Sequence, residues 1–250
     1  SLPGPYGIGN LGQTAHRFVD FLADTGFTYW QICPAGPTGY GDSPYQSFSS
    51  YAGNPYFLDL DALVESGLLK RDEIAPLASL DRHRVDYGAL YEWFWPVLER
   101  VFDRFDPSTR LPGFQLSWDA FIEQQEFWLS PYALFMALKR MHGGKPWFEW
   151  APELRVFDRV RESSLPEEVR AEKRRHLVYQ YLFFNQWMSL REYARRRGIE
   201  IIGDVPIFVA HDSADVWSSS RVFQIRESGE LKVSAGVPPD YFSELGQHWG

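Results

Sequence analysis

Between Thr14 and Thr25 the apolar positions recur at helical intervals, with Phe18, Phe21 and Leu22 on one face and Gly26 directly after them. That spacing predicts an amphipathic helix closed by a glycine stop. The run Phe27–Pro34 is apolar without alternation and reads as a buried strand. From Ala35 to Pro55 the pattern dissolves into Gly, Pro, Ser and Tyr, which predicts a long loop at the strand's C-terminal end. In α/β barrels and open α/β sheets, that end is where ligands bind.

Helical periodicity dominates from Pro55 to Gly198. Trp118–Arg140 carries Phe121, Phe127, Trp128, Leu134, Phe135 and Leu138, and Glu167–Arg197 is a second long amphipathic stretch stopped by Gly198. Arg195, Arg196 and Arg197 fall in its last turn, where cations complement the helix dipole. The charge-rich segment Arg155–Val169 reads as solvated helix surface or loop. Gly198–Val209 is dominated by β-branched residues and predicts a second buried strand entered from a helix, with Asp204 and Pro206 at its C-terminal edge. Beyond it come Ala210–Trp217, a predicted hairpin at Glu227–Glu230 and a loop over Ala235–Phe242. Strand, long helical insertion, strand and irregular excursion together predict a decorated parallel α/β fold.

Bulk numbers narrow the partners. The 250 residues are 44% hydrophobic and 23% charged, enough chain for one barrel-sized domain or two smaller ones. A net charge of -8 repels a phosphate backbone and an anionic membrane surface, so neither nucleic acid nor membrane is an expected partner. No apolar run reaches membrane-spanning length, and Ser1–Pro5 lacks the charged and apolar regions of a signal peptide. The start lacks Met and Trp249-Gly250 carries no helix cap, so both ends are expected to be cuts. The lone Cys33 excludes an internal disulfide; its apolar surroundings predict a small core residue, compatible with a reducing cytosol. Aromatic residues make up 17%, and several Trp and Tyr stand beside Gly, Pro, Asn and Asp. Aromatic faces next to hydroxyls and carboxylates suit sugar rings, whose C–H faces stack while their hydroxyls hydrogen-bond.

Gly7-Ile8-Gly9-Asn10-Leu11-Gly12 matches GxGxxG, yet Leu2-Pro3-Gly4-Pro5-Tyr6 before it does not make the hydrophobic strand of a dinucleotide fingerprint. A tight loop approaching the next helix or a ligand is the competing reading. The six histidines are scattered, with no HxxxH or HExxH, and GxSxG is absent. Ser43, Ser47, Ser49 and Ser50 read as structural residues of a turn-rich loop. Asp204 is either a turn or cap residue or a ligand-binding carboxylate at a barrel mouth, because a buried carboxylate there is costly unless partnered. Asp212 and Asp215 read as turn and capping residues.

Five ordered segments carry a family resemblance. Gly39-Tyr40-Gly41-Asp42-Ser43-Pro44-Tyr45-Gln46-Ser47 with Ala52-Gly53-Asn54-Pro55-Tyr56, the opening Ser1–Gly9, Ile201–Val209, Ala235–Ser243 and Gly246–Gly250 closely resemble blocks of the amylomaltase, or disproportionating-enzyme, family. These are 4-α-glucanotransferases of the α-amylase clan. The resemblance implies an α/β fold: a partial (β/α)8 (TIM) barrel with a large, mostly helical insertion and a further irregular insertion after a barrel strand. Residues 1–60 would begin the barrel, 61–198 hold the helical insertion and a barrel helix, 199–209 the next strand, and 210–250 the second insertion.

The resemblance also implies transfer of α-1,4-glucan segments between maltooligosaccharides by a retaining double displacement, without metal or cofactor, in the cytoplasm or, for a plant or algal source, a plastid. No segment matches the family's nucleophile or general-acid blocks, which are expected beyond Gly250, so no catalytic residue is assigned. The substrate-binding residues carried over are Tyr45 and Asp204 beside the sugar at the cleavage point, Tyr241 and Phe242 on a loop covering the glucan, and Trp249 near the acceptor side. Ser43 and Asp240 come from the same motifs, and Tyr40 resembles a residue of a second glucan site outside the cleft. Two other readings stand beside this one: a non-catalytic carbohydrate-binding module, served by the same aromatic loops, and a dinucleotide-dependent oxidoreductase, which needs the GxGxxG.

Overall fold

The computed structural model describes residues 2–39, 41–108, 116–226 and 228–248. In chain order the elements are α1 (Gln13–Asp24), β1 (Tyr29–Gln31), α2 (Leu60–Glu65), α3 (Arg71–Ile74), α4 (Tyr87–Arg104), α5 (Trp118–Met141), α6 (Glu167–Arg196), β2 (Glu200–Ile202), α7 (Ala214–Ser218), β3 (Gly236–Val237) and β4 (Gln247–His248), with short 3₁₀ turns between them. They form two compact units. The first comprises Ser1–Ala35, Gly53–Glu126 and Arg175–Asp204; the second comprises Gly36–Ala52, Phe127–Arg174 and Val205–Gly250.

In the first unit, both strands are entered by the same device. Gly26, at φ 82°, follows α1; its amide donates to the Ala23 carbonyl at 3.2 Å, and the amide of Phe27 donates to Leu22 at 2.9 Å. At the end of α6, Gly198, at φ 77°, donates to Arg195 at 3.1 Å, and Ile199 donates to Ala194 at 2.9 Å. Each is a Schellman closure, which needs a left-handed residue that only glycine adopts without strain. The chain then turns into β1 and β2, which pair in parallel with Tyr29 opposite Glu200, Trp30 opposite Ile201 and Gln31 opposite Ile202.

The strands are shorter and less covered than their apolar runs predict. Trp30 and Ile201, matched in register, pack against Ala15, Val19 and Leu22 of α1 and Leu190, Ala194 and Ile199 at the end of α6. The alternate positions Tyr29, Gln31, Glu200 and Ile202 are exposed, as are Phe27, Val205, Ile207 and Phe208. A period of two puts successive side chains on opposite faces, and these residues cover one face only. The expected core position of Cys33 fails for the same reason: it lies just past β1 and is exposed. Phe21, assigned by spacing to the apolar face of α1, is also exposed.

The rest of the first unit hangs on α6. Tyr56, which follows Asn54 in a 3₁₀ turn that the Asn54 side chain caps, packs on Phe94 and Trp95 of α4; Trp95 also meets Tyr179 of α6. Arg195 and Arg196 lie in the last turn of α6, each paired with Glu192, while Arg197 falls just past the helix and reaches back to Asp20 and Asp24 of α1.

In the second unit, aromatic residues form the core. Trp217 of α7 contacts Phe135 of α5, Trp150 and Phe157. The indole N–H groups of Trp147, Trp150 and Trp217 donate to the carbonyls of His211, Lys145 and Leu154 at 2.8, 3.0 and 2.9 Å. Buried indoles need such partners. Part of the high aromatic content is therefore packing, including in loop-like sequence. Of the hairpin predicted near Glu227–Glu230, Glu227 lies outside the described residues; the flanking chain is paired, with a bridge from Ile225 to Leu231 and Gly229 at φ 89°.

Candidate functional site

The loop at residues 36–52, after β1, is closed upon itself. Its tip is two successive turns: the amide of Asp42 donates to the Gly39 carbonyl at 3.2 Å, and that of Gln46 to Ser43 at 3.1 Å. Gly41 and Asp42 both have positive φ, 88° and 55°. A short Asp side chain tolerates that region better than most. Below the tip, Gly39 donates to Gln46 at 3.3 Å and Thr38 bridges Ser47. The buried hydroxyl of Ser47 is shared between the carbonyls of Pro37 at 2.9 Å and Ser49 at 2.8 Å. A Cβ on Gly36 would stand 2.5 Å from that hydroxyl oxygen, so the stem closes only around glycine.

Tyr45 lies in the second turn, 46% exposed, and its amide donates to Ser43 Oγ at 3.3 Å. Ser43 thus shapes the turn that carries Tyr45. The predicted structural roles of Ser47 and Ser49 hold as well: Ser49 Oγ accepts from the amides of Tyr51 at 3.1 Å and Ala52 at 3.4 Å.

The base of this loop is clamped from the same unit. The amide of Ala214 donates to the Phe48 carbonyl at 2.8 Å, and the amide of Ser50 donates to Asp215 Oδ2 at 2.7 Å. Lys139 of α5 pairs with Asp212 and stands 5.0 Å above the Phe48 ring. Asp212 also accepts the Trp147 amide at 3.3 Å. Burial pushes the Asp215 carboxyl above its ordinary range, against the opposing pull of Ser50. Asp212 and Asp215 are therefore not the local turn and cap residues that their spacing suggests. The cap of α7 is Ser213, whose Oγ accepts the Val216 amide at 3.2 Å.

Asp240, Tyr241 and Phe242 lie together on a hairpin whose arms are β3 and β4. Asp240 Oδ1 accepts the amides of Phe242 at 2.9 Å and Ser243 at 2.8 Å, so this carboxylate holds its own turn. The two rings meet edge to face at 5.7 Å, and the side chains are 97% and 88% exposed. Asp204 is half-buried, two residues past β2 in the first unit. Tyr40 and Trp249, the remaining expected contacts, lie outside the described residues.

The GxGxxG segment is a packing device. Among the described residues, no strand precedes it. A Cβ on Gly9 would stand 2.3 Å from the Leu2 carbonyl oxygen, and one on Gly12 would stand 2.4 Å from the Asp59 carboxyl carbon. Asp59 caps α2, and burial raises its pKa. A carboxylate against Gly12 is the opposite of a phosphate cradle, and the dinucleotide reading loses its support. Among the described residues, no three His, Cys, Asp or Glu stand together as a metal-ligand group, and no helix is long and apolar enough to cross a membrane.

A family model described as 4-alpha-glucanotransferase matches residues 1–250. The chain belongs to the 4-alpha-glucanotransferase family. The Thermus thermophilus 4-alpha-glucanotransferase is 50% identical over 254 residues, covering 100% of this chain and 49% of the relative. The chloroplastic/amyloplastic 4-alpha-glucanotransferase of Arabidopsis thaliana is 36% identical, covering 100% and 43%. Among solved structures, the Streptococcus agalactiae amylomaltase in complex with acarbose superposes with a TM-score of 0.89 at 39% identity, covering all of this chain and 50% of its own. The Corynebacterium glutamicum amylomaltase, at 19% identity and a TM-score of 0.75, shares the fold. The α/β class read from the sequence is thus that of the family. The chain spans about half the length of the curated relatives it matches.

Sequence reasoning missed the supporting residues Lys139 under the 36–52 loop and Gln180 and Gln186 on α6, and took Asp212 and Asp215 for local turn and cap residues. Their partners are 65 to 165 residues away, and no local spacing signals them.

Proposed function

We propose that the chain is part of a 4-α-glucanotransferase that moves α-1,4-glucan segments between maltooligosaccharides, and that these residues supply substrate contacts rather than bond-breaking groups. The match of the family over residues 1–250 carries this reading. It is supported by the closed loop that presents Tyr45 and by the exposed aromatic pair Tyr241 and Phe242. In the proposed complex, Tyr45 and Asp204 contact the sugar at the cleavage point, with Tyr241 and Phe242 covering the glucan. Trp249, Ser43, Asp240 and Tyr40 complete the proposed contact set, Ser43 and Asp240 also shaping their own turns.

The uncovered face of β1 and β2 supports a partial (β/α)8 barrel in which later strands come from the other half of a longer polypeptide. Residues 1–60 would begin that barrel, 61–198 insert and return through a barrel helix, 199–209 add the next strand, and 210–250 form the second insertion. The chemistry is a retaining double displacement. A carboxylate outside residues 1–250 attacks the anomeric carbon, a second protonates the leaving oxygen, and an acceptor hydroxyl resolves the glycosyl-enzyme. Stacking and hydroxyl hydrogen bonding by the residues named here orient the sugar. Action in the cytoplasm, or a plastid in a plant or alga, completes the reading. Incubation of the full-length protein with maltotriose tests it: glucose and longer maltooligosaccharides are expected, and binding of maltotriose without any new product would favour the carbohydrate-binding module instead.

A further inference from the structure

We propose that Asp215 is a positioning residue for the loop that carries Tyr45, an inference that rests on the glucanotransferase reading of that loop. The tip of residues 36–52 is braced by its own turns, but those bonds fix only its internal shape. Its placement depends on what holds Phe48–Ser50. Two hydrogen bonds at adjacent residues do so: the Ala214 amide donates to the Phe48 carbonyl at 2.8 Å, and the Asp215 carboxylate accepts the Ser50 amide at 2.7 Å. They act on opposite polar groups of neighbouring peptide units, so together they fix the direction of the Phe48–Ser50 segment as well as its position.

The clamp itself is rigid. Ala214, Val216 and Trp217 are buried, and Trp217 is locked among Phe135, Trp150 and Phe157 with its indole N–H on Leu154. Ser213 is fully buried and caps the helix. Ion pairing of Lys139 with Asp212, and its ammonium above the Phe48 ring, hold the same two segments from beneath. Between Asp215 and Tyr45 the path is short: one hydrogen bond to Ser50, then the backbone through Ser49 to Ser47, whose hydroxyl closes the stem on Pro37. Release of the Ser50 amide would let the stem pivot about Ser47 and displace Tyr45 without unfolding the unit. A displacement of about 1 Å at a substrate contact is enough to cost up to about a hundredfold in turnover.

The test compares Asp215→Ala with Asp215→Asn in the full-length protein, alone and combined with Tyr45→Ala. The Asn oxygen still accepts the Ser50 amide, whereas Ala leaves it without that partner. With maltotriose, Asp215→Ala is expected to lower kcat/KM roughly tenfold to a hundredfold, Asp215→Asn to stay within about threefold of the parent, and Asp215→Ala to cost little more once Tyr45 is already Ala. Equal losses in the Ala and Asn variants, or an Asp215→Ala loss that simply multiplies the loss from Tyr45→Ala, would overturn the proposal. Amide hydrogen exchange across residues 38–51 separates this outcome from failure of the activity reading. If the parent transfers nothing, faster exchange in Asp215→Ala but not Asp215→Asn still upholds the positioning role, and unchanged exchange refutes it.

Discussion

The side-chain amide of Gln180 grips both polar groups of the Gly53 backbone: Oε1 accepts the Gly53 N–H at 2.8 Å, and Nε2 donates to the Gly53 carbonyl at 2.8 Å. Gln180 is fully buried, and Gln186, further along α6, repeats the grip on Asp59 at 2.7 and 3.1 Å. One helix thus pins residues 53–59 at both ends. Gly53 has no room for a side chain, since a Cβ would stand 2.1 Å from the Phe183 ring. Gln180→Ala is expected to destabilise the protein by about 2–4 kcal/mol, because two buried backbone groups lose their partners. Urea unfolding measures this; a loss under about 0.5 kcal/mol, the ordinary surface range, would remove the role assigned to the grip.

Glu73 predicts an acid limb in the stability profile. Hydrogen bonds from Arg104 first, then the Lys70 amide, hold its carboxyl down at about 2. A carboxylate with a depressed folded pKa contributes stability above its ordinary value of 4.5, lost as pH falls from there toward 2. Glu73→Gln should flatten part of that decline when thermal midpoints are compared between pH 5 and pH 2.5, a range set by those two values. An unchanged slope would mean that the ion pair does not form in solution.

Asp59 gives the opposite sign. Burial raises its pKa, with neighbouring Asp61 and Glu65 adding to the rise. Protonation therefore favours the folded state, and this contribution is lost as pH rises through the elevated folded value. Asp59→Asn keeps an acceptor for the Asp61 amide while removing the charge. At neutral pH it is expected to be neutral or stabilising by up to about 1 kcal/mol. A clear destabilisation in calorimetry would contradict this account.

Tyr241 and Phe242 separate binding from stability. Both are almost entirely exposed, so Ala at either position should move unfolding free energy by no more than about 0.5 kcal/mol. The same changes are expected to raise KM for longer maltooligosaccharides several-fold, roughly 1 kcal/mol per lost stacking contact. Unaltered kinetics in both variants would exclude the hairpin from the glucan site.

Residues 1–250 expressed alone are expected to associate and to turn over no maltotriose. Tyr29 and Ile202 leave an apolar strand face uncovered, and uncovered strands pair with one another. Size-exclusion chromatography and product analysis check both halves of this expectation; an active monomer would contradict it.

Much of the fold was legible because its signals are local. The limits of α1, α5 and α6 follow from apolar spacing and from Gly26 and Gly198, and the pairing of Ile225 with Leu231 follows from the turn-forming composition between them. A run such as Phe27–Pro34 predicts a strand fit to be covered on both faces, but not whether these residues contain the second cover. Asp212 and Asp215 look like caps because an Asp near a helix start usually satisfies a local amide; here Lys139 and Ser50 take those carboxylates from far along the chain.

The sequence by itself therefore determined the helices, their glycine closures, the turn-rich loop around Tyr45 and the family to which its motifs point, since each depends on residues close together along the chain. Only the tertiary structure decided that Gln180 and Gln186 pin residues 53–59, that Gly12 shelters a carboxylate, and that Asp215 and Lys139 hold the Tyr45 loop. Those are pairings across long stretches of chain, where burial makes a polar group take whichever partner the fold brings near.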